Sequence, residues 1–360
     1  MRDEAFFSAI RVGNLSRVKT LFSNILDIDY GMYLAIKHGK LAIAEFLMGH
    51  CDKNKALDSA ACCNNIEAIK MFLANGAKIY DALCTAVENE NDEIVNLLLS
   101  HSVGSKTSDS SAIETAAYSG RVDYIDLFIA SNMYDAAAYN AALQDGAEGD
   151  ITEEIVDKLL KHGADIDAND GAALRNAAYE RNTRMVKLLL SRGAKLGYQK
   201  TLQYLLDSKH ADVAKLLIDK GATIGEDELN AAVRSGSAKI MKFLLAEKIS
   251  SDQIKFAATH AAQYDFKRSL MPLIEHLSND ELELILCEAA FQGSVKVVKL
   301  LLHKGVNFRV HDNAPLGGAL KARHRQVAKM FISGYTIAEL KELNIYIKSG
   351  ILDHWLQCLI

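Results

Sequence analysis

Twelve times along this 360-residue chain a small residue, usually Ala, is followed four positions later by Gly or a polar stand-in, then by an apolar helical stretch. The pairs are Ala9/Gly13, Ala35/Gly39, Ala60/Asn64, Ala86/Glu90, Ala116/Gly120, Ala142/Gly146, Ala177/Arg181, Leu205/Lys209, Ala232/Gly236, Ala257/Ala261, Ala289/Gly293 and Ala319/Arg323. A truncated thirteenth copy has Tyr346/Gly350, and successive starts lie 25 to 35 residues apart. Self-similarity at such a period predicts a solenoid of stacked supersecondary units, each touching only its neighbours. The repeats leave no room for a separate catalytic domain.

The second helix of each unit is the strongest local signal. In Glu93–Leu99, Glu154–Leu160, Arg184–Leu190, Asp212–Ile218 and Lys296–Leu302, apolar residues recur at helical spacing with polar residues on the outer face. Several of these helices end in a Gly stop, at Gly76, Gly163, Gly193, Gly221 and Gly305. Glycine suits the left-handed position just past a helix end, and the basic or His residue before most of these stops suits the helix dipole. The first helix of each unit is expected to be shorter and richer in Ala, as in Asn176–Glu180 and Asn230–Arg234, so that neighbouring units approach closely.

Helix, Gly, helix, then Gly163-Ala-Asp-Ile-Asp-Ala-Asn-Asp170 resembles an ankyrin repeat, and the resemblance covers essentially the whole chain. It implies an all-α, ankyrin-type helix-turn-helix solenoid of about 12–13 repeats over 1–360, with 1–28 as N-terminal capping repeat and 343–360 as C-terminal cap. Two departures stand out. The family's Thr-Pro-Leu-His is replaced by Ala314-Pro315-Leu316-Gly317, and many units are shorter than the family's repeat, which argues against regular β-hairpin fingers in about half of them. Degenerate, shortened repeats of this kind resemble those of large DNA viruses and intracellular bacteria. The resemblance further implies a non-catalytic scaffold, a viral or bacterial effector acting on a host protein, that binds through a concave groove lined by the first helices.

On that reading, the two residues before each Gly position face the groove. Tyr118, Tyr179 and Phe291 place aromatic rings where the repeat needs no large side chain, and with Arg234 they are the expected anchors, since aromatics and Arg dominate binding hot spots. Arg11, Lys37, Glu88, Gln144, Asp207 and Lys321 occupy equivalent positions. The competing reading is that the rings pack against the neighbouring helix.

Composition narrows the remaining classes. Hydrophobic residues make up 49% of the chain and there are 2 Pro, which fits a well-filled helical fold without Pro-rich linkers. The net charge is −5, yet Ser294 to Gly350 holds 10 Lys+Arg against 3 Asp+Glu. Arg323, Arg325 and Lys329 lie in this basic stretch, where an acidic protein partner is favoured over nucleic acid because aromatic interleaving is missing. No signal peptide, membrane span or cofactor site is expected, and the chain reads as cytoplasmic. His50, Cys51, Cys62 and Cys63 lack the spacing of a zinc site, and the acidic insert from Asp145 to Glu154 lacks the order of a calcium loop. No nucleophile elbow or phosphate loop is present.

Overall fold

The computed structural model describes residues 2–23, 25, 27–102, 107–195, 199–247, 249–336, 338–340 and 342–343. Twenty-four α-helices occur among them in twelve consecutive pairs, with no strand. They belong to two compact units, one ending at Lys195 and one starting at Leu196. Unit 1 contains α1 (Arg2–Val12) and α2 (Leu15–Leu21), α3 (Ile28–Lys37) and α4 (Leu41–Leu47), α5 (Lys53–Cys62) and α6 (Ile66–Ala74), and α7 (Tyr80–Glu88) and α8 (Asp92–His101). It continues with α9 (Ser111–Tyr118) and α10 (Val122–Ser131), α11 (Ala136–Gly146) and α12 (Glu153–Lys161), and α13 (Ala168–Tyr179) and α14 (Thr183–Ser191). Unit 2 contains α15 (Gln199–Asp207) and α16 (Ala211–Asp219), α17 (Glu226–Arg234) and α18 (Ala238–Ala246), and α19 (Ser251–Gln263) and α20 (Lys267–Leu270). Its last two pairs are α21 (Asn279–Gln292) with α22 (Val295–His303) and α23 (Ala314–Lys321) with α24 (Arg325–Ile332). The Tyr346/Gly350 copy and nearly all of the expected C-terminal cap lie outside the described residues.

A single turn type joins the helices of eleven pairs. The residue four after the small one has positive φ at Gly13, Gly39, Asn64, Glu90, Gly120, Arg181, Lys209, Gly236, Gly293 and Arg323. In ten of the eleven the next backbone N–H then reaches back to the carbonyl of the small residue, as in Lys40 N to Ala35 O and Asn182 N to Ala177 O, both 2.8 Å; after Gly236 the Ser237 N–H donates to the Ser235 hydroxyl instead, at 3.2 Å. This is the left-handed C-cap that ends one helix and aims the chain into the next. The residue after it often caps the second helix: Asn14, Asn65, Asn91 and Asn182 each accept a backbone N–H three residues on.

Non-glycine residues at the left-handed position reach into the following repeat. Asn64 accepts from the Asn91 side-chain amide at 2.8 Å, and Glu90 pairs with Arg121 at 3.3 Å. The five predicted Gly stops of the second helices also take positive φ, and the residue after each bonds back across the turn, as in Ala194 N to Leu189 O at 3.0 Å.

Three sequence expectations need correction. Gly146 remains within α11, because the helix runs on into the acidic insert rather than turning. The pair Ala257/Ala261 was set one helical turn too early. Both Ala are buried inside α19, the left-handed residue is Asp265 at φ 58°, and Phe266 N reaches Ala261 O at 2.9 Å. The first helix is the shorter one only in the pairs α7/α8 and α9/α10; α19 and α21 run 13 and 14 residues, against 4 for α20 and 9 for α22. Capping boxes at Ser250/Gln253 and Ser278/Glu281 start those two long helices early.

Packing follows from residue size. Within each unit the first helices lie against the first helices of their neighbours, as α9 does against α7 and α11. Paired alanines make that approach possible, and Ala116, Ala117, Ala177, Ala178, Ala231, Ala232, Ala289 and Ala290 are fully buried. The second helices turn larger residues inward, such as Ile240, Met241 and Leu244 of α18. On the outside of unit 1, Arg121 meets Glu90, Asp92 and Asp123, Lys158 meets Asp126 and Glu154, and Arg192 meets Glu153 and Asp157. Such exposed pairs contribute little individually, about 0–1 kcal/mol each. Among the described residues no helix is long and apolar enough to cross a membrane.

Two outcomes test this architecture. Ala177→Leu or Ala232→Leu should overpack a joint between first helices and cost about 1–3 kcal/mol, read from denaturant unfolding. Gly39→Ala meets no atom within 4 Å of the added Cβ, so its cost should come from the left-handed backbone alone, about 1–2 kcal/mol. An unchanged unfolding midpoint in either experiment would show that the packing or the turn was misread.

Candidate interaction surface

The residue two places before each left-handed position lies at or next to the end of its first helix, where the inward-facing alanines have already satisfied the packing. Arg11, Lys37, Glu88, Asp207, Arg234 and Lys321 are all exposed there. Tyr118 and Phe291 are 53% and 46% exposed. In unit 2 Arg234 pairs with Asp207 at 3.7 Å, and in unit 1 the Lys37 ammonium lies 5.5 Å from the Tyr33 ring.

The other two expected residues do structural work. Tyr179 is half-buried and engaged with its surroundings. Gln144, also half-buried, accepts from the Asn169 amide at 3.1 Å, while its backbone carbonyl takes the Asn176 amide at 3.3 Å. It thereby steadies the left-handed run Asn169–Asp170–Gly171 at the start of α13. Its own amide nitrogen is buried without a partner.

The acidic insert after α11 folds back onto Tyr118. Asp150 N donates to Tyr118 O at 2.7 Å, and a Cβ on Gly149 would come within 2.3 Å of the same oxygen. Glycine is required at 149 because the chain lies directly on the tyrosine. Thr152 caps α12, its hydroxyl accepting the Ile155 N–H. Nearby, burial pushes the Glu114 carboxyl up; the Ser110 hydroxyl opposes this and Asp145 adds to it.

Correcting the register of α19 reveals a residue the sequence reading passed over. With Asp265 as the left-handed residue, Tyr264 falls beside the same column, and it is 60% exposed. Phe256, His260 and Tyr264 recur every four residues, with ring centroids 6.3 and 4.8 Å apart. Burial lowers the pKa of His260, and Arg234 lowers it further. The signal that could have found this ladder was its i, i+4, i+8 spacing, hidden by the wrong placement of the turn.

The basic stretch is dispersed. Arg323 sits in the left-handed turn, Arg325 opens α24, and Lys329 lies on its exposed side. Arg309 is tied to Glu339 at 2.7 Å and stacks 4.6 Å from the Tyr335 ring centroid. Among the described residues, no three His, Cys, Asp or Glu side chains are grouped to hold a metal ion.

Residues 143–228 match the family model for ankyrin repeats, in three copies. This segment consists of ankyrin repeats. A fowlpox virus (strain NVSL) protein named for its ankyrin repeats is 37% identical over 84 residues, covering 21% of this chain and 13% of that protein. The matched ankyrin repeats hold the Gly163, Gly193 and Gly221 stops and the left-handed run of α13.

His260 supplies a pH test of this surface. Its lowered pKa means that the unfolded chain takes up the proton first, so its contribution is complete above pH 6.5 and is lost as pH falls below that value. His260→Gln should flatten the decline in melting temperature between pH 7 and about pH 5. An unchanged pH profile would place the titrating group elsewhere.

Proposed function

We propose that the chain is a non-catalytic binding scaffold that engages a protein partner through the face formed by its first helices. Ankyrin repeats generally mediate protein–protein interaction, and the observation that carries the reading is the exposure of Tyr118, Tyr264 and Phe291 at the ends of first helices. About half or more of each ring's surface is left open to a partner. Each can bury a large apolar area on a partner at small conformational cost. Rigid presentation by the repeats limits the entropy lost on binding, so a few anchors suffice for useful affinity.

The viral source of the similar ankyrin repeat protein fits a role inside a host cell, and we extend the proposal to action on a host protein in the cytoplasm. A groove that takes nucleic acid or a small molecule through the basic C-terminal part has less support. Arg309 is already engaged there, and the exposed rings lie in other repeats.

Affinity capture from infected or native cells, followed by titration of the captured protein, tests the reading. Tyr118→Ala, Tyr264→Ala or Phe291→Ala at a true anchor should weaken binding by about 2 kcal/mol or more without changing the helical spectrum. Lys187→Ala, on the outer side of α14, should leave affinity unchanged. Equal losses at Lys187 and the aromatics, or loss of stability without loss of affinity, would overturn the assignment.

A further inference from the structure

The second helices of the two units use their outer faces in opposite ways. Taking the capping residue as origin, positions three, four and seven turn inward in every second helix of unit 2, as Val213, Ala214 and Leu217 do in α16. Positions two and five therefore share the outer side. In unit 1 these positions hold seven acids, Glu45, Glu67, Glu93, Asp123, Asp126, Glu154 and Asp157, against four cations, Lys19, Lys70, Arg184 and Lys187. Nearby cations match most of them, through Lys70, Arg121, Lys158 and Arg192.

In unit 2 the same two rows are basic. Position five gives Lys215, Lys242, Lys299 and Lys329, and position two adds Lys239, Arg268 and Lys296. All are exposed, and they cross α16, α18, α20, α22 and α24, which contact one another in that order. Lys296 meets Asp265 at 3.8 Å. The other six make no ion pair among the described residues. Asp212 is the acid of these rows, and Met271, half exposed, is their apolar interruption. The imbalance extends to the whole units: unit 1 has 20 Lys+Arg against 28 Asp+Glu, and unit 2 has 21 against 18.

We propose that this outer face of unit 2 docks an extended acidic segment of a partner protein. It is a second surface, independent of the first-helix face. Six of the seven cations here have no acid within ion-pair distance among the described residues, so complementary charge for them has to come from outside. Packed helices lie about 8–10 Å apart, and an extended chain advances about 3.3 Å per residue, so an acidic side chain every third residue meets each successive helix. Nucleic acid fits less well. The rows hold lysines with no aromatic ring for base stacking, and the chain's pI is about 6.1, far from the strongly basic balance of phosphate-backbone binders.

The experiment is fluorescence anisotropy of the full chain with a labelled peptide of about eighteen residues carrying Glu at every third position. Binding should weaken steeply with salt, and Lys242→Glu with Lys299→Glu should weaken it about tenfold or more. Lys70→Glu in unit 1 should leave it unchanged. Should the double charge reversal unfold the chain, Lys242→Gln with Lys299→Gln should still give a loss of about threefold. Failure of the peptide to bind, equal loss with Lys70→Glu, or no loss in the variants would overturn the proposal. So would tighter binding of a duplex DNA of about 20 base pairs or of phosphatidylserine vesicles under the same salt.

Discussion

The structure depends on one backbone hydrogen bond, made where a first helix stops. A residue in the left-handed region lets the next N–H reach back to the small residue five positions earlier, and the chain leaves in the direction of the second helix. The small residue is part of the same device. Its carbonyl accepts the bond while its side chain lies between first helices, so one position sets both the turn and the spacing of the stack. Placing a non-glycine residue in that conformation costs about 1–2 kcal/mol. In several repeats the side chain that incurs the strain also bonds onward: Asn64 to Asn91, Glu90 to Arg121, and Asp265 to the backbone N–H groups of Lys296 and Val297.

That onward bonding explains how much of the fold was legible in the sequence. Where the left-handed residue is Gly or Asn after an Ala, the turn is visible by inspection, and repeats such as Ala35/Gly39 and Ala60/Asn64 were placed correctly. Asp265 carries no such mark. An Ala-rich helix offers Ala257 and Ala261 equally as the small residue, and the extra turn of α19 becomes visible once Asp265 is seen capping α22. The surface was legible to the same degree. Tyr118 and Phe291 followed from the turn register, Tyr264 was lost with it, and the half-burial of Tyr179 depends on neighbours that no local pattern specifies. The insert lying on Tyr118 was invisible because it rests on a close backbone approach at Gly149.

The two layers divide their duties by side-chain size. First helices spend their alanines on approach to each other, which frees their last exposed positions from packing. Second helices bury larger aliphatic residues and keep two outer positions that packing does not constrain. Charge at those outer positions is thus free to differ between the units, with acids in the majority in one and cations in the other.

The bonds that join neighbouring repeats also bear on how the chain reaches this state. The widest of the side-chain links, Arg192 to Glu153, spans 39 positions, and Asn91 to Asn64 spans 27. Loop-closure entropy grows slowly with such separations and does not accumulate as repeats are added. Each adjacent pair of repeats can assemble as soon as its own residues are available, so folding can begin at several places and spread outward, and the time required need not lengthen in proportion to the chain.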